Sequence, residues 1–439
     1  MSGPKVVRVV TREELVAVGA AVLARLNAAV AQWERECGDA KPADVEATKR
    51  RRDELAAMLA ADRFTEFGQA AAKEIDFLDA DAARRRERAA QARAQQRLRQ
   101  SSGQELARTL LGVGSNLDSQ MRAELGKVAT GHLSVDQMDA VLSRARQALF
   151  QVPVQGASAE QIVLAQRLGV SETDTSFEAW RVSSTKPNVR LQSAFAHLAE
   201  LEALDAADAV ELEAQVRAVL EIEDESTRDM RLDTLVLAIR RVKEGILAKV
   251  KLLRQVEGLV AELFAVAGES ETLTKLRSAT LNLKLEHLQV LVTLGQDELV
   301  KSQAAVSATA RRKAVLDGLL KLGYQVQEGL ATITVDSGRL VVRSPASDHY
   351  GVEVVPGSNQ KMQVRSVAFN ATRDTSQDLA EEQRWCGDFG KLQASLQAIG
   401  CEVVVEKALG VGAIPLRVVE VAEEHRTRKV SPGVAGRSR

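Results

Sequence analysis

"LDTLVLAIRRVKEGILAKVKLLRQVEGLVAEL", residues 232–263, decides how most of this chain is read. From Leu232 the apolar residues fall at Leu235, Ile239, Val242, Ile246, Val250, Leu253, Val256, Val260 and Leu263. The steps are threes and fours. They average about 3.5 residues, the period of a helix that keeps one apolar stripe against a neighbour. Lys and Arg sit between these positions, as on a solvated face. The stretch predicts a long helix with a coiled-coil-like seam, pairing within the chain or with a second copy, so a homodimer is one expected state.

The composition around it agrees. Aromatic residues are 3% of the 439 and prolines number 8, while Ala, Leu, Glu, Arg and Gln, all good helix formers, dominate. A compact enzyme of this size spends more aromatic residues on its core and pocket. Formal net charge is −1, so no global field draws a polyanion. The cysteines Cys37, Cys386 and Cys401 lie far apart and form no disulfide framework, as expected in a reducing compartment. The first residues lack a signal-peptide pattern, and no apolar run is read as long enough to span a bilayer. The expected location is cytoplasmic, with no membrane partner.

Toward the N-terminus, "KVVRVV" (5–10) reads as a short strand, and Thr11 with Glu14 forms a capping box ahead of a helix. A second helical run begins near Val45. Its apolar face ends near Leu78, and from Asp79 only alanines stand among the arginines. Such a helix projects into solvent or bridges two bodies. Ser102 with Glu105, Ser134 with Gln137 and Ser158 with Gln161 make further boxes, each expected to start a short helix. Pro153 and Pro187 bracket a loop-rich stretch.

After Gly323 the period changes to two. "LATITVDSGRLVVRS" (330–344) reads as a hairpin, "YGVEVVP" (350–356) and "KMQVRSVAF" (361–369) as strands, 376–399 as a helix and "CEVVVEK" (401–407) as a last strand. The expected fold class is mainly α with a C-terminal α+β domain, a long-helix bundle followed by a small, mostly antiparallel sheet with one packed helix. The expected units are an N-terminal helical region (1–150) with a basic helix at 79–100, a linker (151–187), a second helical region (188–325), the α+β domain (326–422) and a disordered basic tail (423–439).

Within "EEQRWCGDFGKLQ" (381–393), Trp385 and Phe389 continue to Leu392, Leu396 and Ile399 in steps of four and three. That is one helix face, expected to pack across the sheet. The rival reading makes Cys386 a nucleophile, His349 its base and Asp388 the orienter. Asp388-Phe389-Gly390 also spells the magnesium-binding tripeptide of protein kinases, but the other kinase motifs are missing. "LLGVGSN" (110–116) and "ALGVGAIP" (408–415) are glycine turns without a phosphate-loop ending. The five histidines are widely separated and no C-x-x-C or H-x-x-x-H pair exists, so neither metal nor other cofactor is expected.

The candidates for contact with nucleic acid or an acidic partner are Arg84, Arg86, Arg88, Arg93 and Arg97, with Lys49-Arg50-Arg51-Arg52 second. Unrolled at 100° per residue their charge spreads around the helix, and no aromatics interleave for base stacking. These features favour a non-enzymatic scaffold or adaptor in a bacterial multiprotein assembly, an antiviral defence system being one setting. Its protein partners would include an ATPase or nuclease encoded elsewhere. A nucleic-acid-binding coiled-coil protein, and an enzyme with its site in the α+β domain, are the alternatives.

Overall fold

The computed structural model describes residues 4–38, 40–113, 117–150, 189–204, 207–326, 339–357, 361–370 and 376–419. The expected linker, the first arm of the 330–344 hairpin, the Ser158 box and the basic tail fall outside these residues. The chain is mainly α, with a small sheet and one packed helix toward its C-terminal end. In chain order the helices are α1 (Arg12–Glu36), α2 (Pro42–Ala60), α3 (Phe64–Val113), α4 (Ser119–Ala129), α5 (Val135–Phe150), α6 (Val189–Glu202), α7 (Asp208–Leu220), α8 (Glu225–Ala267), α9 (Glu271–Arg277), α10 (Leu285–Lys321) and α11 (Ser376–Ala398). The strands are β1 (Lys5–Val10), β2 (Gln325–Val326), β3 (Leu340–Ser344), β4 (Ser347–Pro356), β5 (Lys361–Ala368), β6 (Glu402–Ala408) and β7 (Arg417–Val418).

Local chemistry sets the helix starts. Thr11 Oγ1 accepts the Glu14 amide at 3.1 Å. Ser134 and Gln137 complete a reciprocal box: the Gln137 amide donates to Ser134 Oγ at 3.4 Å and the Ser134 amide to Gln137 Oε1 at 3.1 Å. Ser102 starts nothing. It lies inside α3, because an Ala-, Gln- and Arg-rich run without proline continues the helix through a competing cap signal.

α3 carries three separate cores along its 50 residues. Phe67, Ala71, Ile75, Leu78 and Ala82 pack with Leu26, Val30 and Trp33 of α1 and Leu55 of α2. Ala90 and Ala94 then pack with Phe195, Leu198 and Leu201 of α6, Leu212 and Val216 of α7 and Ile239 of α8. Ala107 joins Leu125, Met138 and Leu142 of α4 and α5. Gly103 leaves the room that Met138 fills, since a Cβ there would stand 2.2 Å from its sulfur. The Ala-and-Arg stretch is thus a bridge between bodies. It buries more than its composition suggests, because alanine lets another helix approach closely.

α8 divides likewise. Its first half joins α6 and α7, and its second half packs Val256, Leu259 and Leu263 on Leu273 and Leu276 of α9 and Val292 of α10. α1 lies against α2, α3, α8 and α10. It is the one described helix long and apolar enough to cross a membrane, with a mean hydropathy of 1.6 over an 18-residue window. That corrects the expectation that no run has this length: Val16–Trp33 carries Arg25 as its only charge. Here its buried Leu26, Val30 and Trp33 serve a core.

The head sits at the end of α10. Its sheet order is β2-β3-β4-β5-β1-β6, with every neighbour on that path antiparallel, and β7 pairs parallel with β5. β1 slots between β5 and β6, Val7 opposite Met362 and Val9 opposite Val403, so the sheet draws on both ends of the chain. One sheet face packs Val7, Val9, Val342, Val352, Val354 and Val364 against Trp385, Phe389, Leu392 and Leu396 of α11 and Val315 and Leu319 of α10. Gly318 brings α10 close to α11: a Cβ there would meet Leu392 Cδ1 at 2.5 Å. Ile399 departs from the expected face. It lies just past the end of α11 and is exposed, where the chain turns through Gly400 at φ +81°.

Candidate binding surfaces

The Trp385 stretch is the centre of the head's core. Trp385 meets Tyr324 edge-on at 6.0 Å and Phe389 at 5.8 Å. Tyr324 Oη donates to Asp388 Oδ2 at 3.1 Å, and Lys391 Nζ donates to Asp388 Oδ1 at 3.0 Å. Burial, with Asp388 beside it, pushes the Tyr324 phenol well above its usual range. Asp388 is therefore engaged by a tyrosine and a lysine, and His349 is exposed on β4. Lys5 of β1 is buried, its ammonium 4.8 Å from the centre of the Phe389 ring, and burial lowers its pKa. In the "ALGVGAIP" turn the Gly412 amide donates to the buried Glu382 carboxylate at 2.6 Å. That amide already has its anion.

The seam residues meet other parts of the same chain. Ile239 is fully buried, and Leu235, Val242 and Ile246 are half-buried on the α6–α7 core. Leu263 is fully buried and Val260 half-buried on the α9–α10 core. Val250 and Leu253, between the two cores, are half-buried. Beside them a cleft of about 450 Å3 opens between α1, α8 and α9, walled by Ala28, Ala31, Leu253, Val256 and Leu276. Its charged lining is engaged: Arg35 with Glu257 at 3.5 Å, Arg277 with Glu269 at 2.9 Å.

Much of the basic helix's charge is met within the chain. Arg84 pairs with Asp81 at 3.3 Å, Arg86 with Glu36 of α1 at 3.5 Å, and Arg97 with Glu202 of α6 and, at 3.7 Å, Glu213 of α7. Glu36 also takes Arg254 of α8 at 2.5 Å, tying three long helices at one point. Burial, with Arg254 nearby, lowers the Arg86 pKa. Arg88 and Arg93 are exposed and form no ion pair among the described residues. In the second cluster Lys49 meets Glu34, Arg51 meets Glu74 and Arg52 meets Asp53.

A further charged surface escaped the sequence reading. Alternation sends Val352 and Val354 to α11 and Glu353 to the opposite sheet face, where it is fully buried. Its carboxylate meets Arg339, Arg365 on β5 at 2.5 Å and Arg417 on β7 at 3.9 Å. Arg343 of β3, on the same face, pairs with Asp348 at 3.2 Å. Period-two alternation marks these residues as outward-facing; only the strand register brings them together.

Among the described residues no group of three His, Cys, Asp or Glu could hold a metal ion. Comparison with known proteins finds no matching family, no similar curated protein and no similar solved structure.

Proposed function

We propose that this chain is a non-enzymatic scaffold or adaptor of a cytoplasmic bacterial assembly, holding protein partners at set positions. One observation carries the reading: several small cores are strung along helices longer than a compact protein of this size is wide. At about 1.5 Å per residue the 50-residue α3 is about 75 Å long and the 43-residue α8 about 65 Å. A compact chain of 439 residues has a radius of gyration of about 22 Å, a sphere about 57 Å across. Long helices clamped at a shared joint make a frame rather than a pocket. The joint where α1, α3 and α8 meet through Glu36, Arg86 and Arg254 supports rigidity, and the engaged Asp388 argues against the enzyme alternative. The ion pairs of Arg84, Arg86 and Arg97 weaken the nucleic-acid alternative.

Light scattering coupled to small-angle X-ray scattering tests this. A radius of gyration clearly above about 22 Å is expected for the monomer. A value at that figure would mean that the helices fold back around one body, and the scaffold reading would lose its support.

A further inference from the structure

The outer face of the head's sheet holds a row of residues that the strand register lines up. Arg343 on β3 stands opposite Gly351 on β4, Gly351 opposite Val367 on β5, and Val367 opposite Arg417 on β7. Three inter-strand steps of about 4.8 Å put the two arginines about 14 Å apart. Between them the floor is apolar. Gly351 has no side chain, and the Phe369 ring fills the space, 2.5 Å from where a Cβ would stand. Phe369, itself half-buried, covers the buried Val341, Val367 and Val419, so its ring is the part of the floor that a ligand can meet.

The next row along the strands is Val341, Glu353 and Arg365. Glu353 holds Arg365 and Arg339, whose side chains are only 20% and 22% exposed. The end arginines are more available. Arg417 is 51% exposed and only 3.9 Å from the shared carboxylate. Arg343 is 32% exposed, and its partner Asp348 is 82% exposed, so that pair is readily exchanged. Arg339, Arg365 and Arg417 thus gather on Glu353 and Arg343 on Asp348, with an apolar floor between the two arginines that can turn outward.

We infer that this face binds an extended acidic segment of a partner protein, with a carboxylate at each end of the row and an apolar side chain over Phe369. Guanidinium forks match carboxylates, and bidentate pairing fixes register as well as contributing energy. In an extended segment residues i, i+2 and i+4 share one face, and four residues span about 13 Å. Asp or Glu at i and i+4 with an apolar residue at i+2 therefore matches the row. A nucleic-acid backbone fits less well, since it would lay phosphates over the apolar floor and beside Glu353. The inference rests on the scaffold reading for its role in the cell, but scattering tests that reading separately. An elongated particle that ignores the segment would break only this inference.

The test uses the full chain and a fluorescent peptide, Glu-Gly-Leu-Gly-Glu, read by polarisation at low salt. The expected result is binding that weakens at least about tenfold in Arg343→Gln/Arg417→Gln, which removes both charge-assisted contacts. A peptide of the same composition with its glutamates adjacent should bind several-fold more weakly, and Arg88→Gln/Arg93→Gln should leave binding unchanged. Asp348→Ala, which frees Arg343, should tighten binding, so the inference is exposed even if the double variant folds poorly. No binding, equal affinity for the two peptides, or no response to Asp348→Ala would overturn it. So would an oligothymidylate that bound tighter and lost its binding in the double variant, which would assign the face to nucleic acid.

Discussion

The head and the helical body are held together by different means. In the head, Trp385, Phe389 and Tyr324 gather with a dozen buried valines and leucines into one dominant core, covered by α10 and α11 on one side of the sheet, beside two small clusters around Val367 and Tyr350. In the body the cores are smaller and separate, each built where two or three helices meet, and ion pairs fill the joints between them. A single core fixes a site, since strand register follows from it. Separate cores fix distances between sites. This division of labour suits the scaffold proposed above.

The largest expected effect lies in the head. Trp385→Ala removes the ring on which Tyr324 and Phe389 both stand, and loss of a buried aromatic side chain costs about 3–5 kcal/mol. Urea unfolding followed by circular dichroism should show an early transition that leaves the helical signal largely intact. If instead the whole helical signal is lost with it, head and body are one cooperative unit and the contrast drawn here fails.

A second comparison runs along α8. Ile239→Ala, in the middle of the α6–α7 core, should cost about 2–5 kcal/mol. Val250→Ala, between the two cores, should cost less than about 1.5 kcal/mol, since a half-buried valine loses little contact. An equal cost at Val250 would break the picture, because something outside the chain would have to cover that segment. Concentration-dependent stability in the same experiment would identify a second copy as the cover.

These outcomes bear on what the sequence could show. Strands β3, β4, β5 and β6 and helix α11 were legible because their signals are local: alternation for the strands, a Trp385–Phe389–Leu392–Leu396 face for the helix. β1 was legible as a strand, but its place between β5 and β6 was not, because its partners lie hundreds of residues away and any edge could take it. The Ser102 box misled for the opposite reason, since a local cap signal does not report whether the helix behind it has ended. The basic helix shows the same limit. Charge periodicity located its arginines, but Glu36, Glu202 and Glu213 reach them from three other helices. The row from Arg343 to Arg417 likewise exists only once four strands are in register.

The smallest effect asks whether the body's joints are stabilised by their charges or only tolerate them. Glu262 on α8 is buried and accepts from Arg25 of α1 at 3.2 Å. Burial pushes its carboxyl above the usual range and outweighs Arg25, which pulls the other way. A carboxyl whose pKa is raised by folding binds its proton more tightly in the native state. Its contribution to stability is therefore full below the ordinary glutamate pKa and is lost as pH rises through the higher folded value. In Glu262→Gln that dependence disappears. Relative to the wild type, the variant's melting temperature should rise across that window and level off beyond it, where the wild type holds a buried charge. A variant less stable than wild type at neutral pH would reverse the sign: the Arg25 pair would then outweigh the cost of burial, and the α1–α8 joint would be fastened by charge in the way the head is fastened by its core.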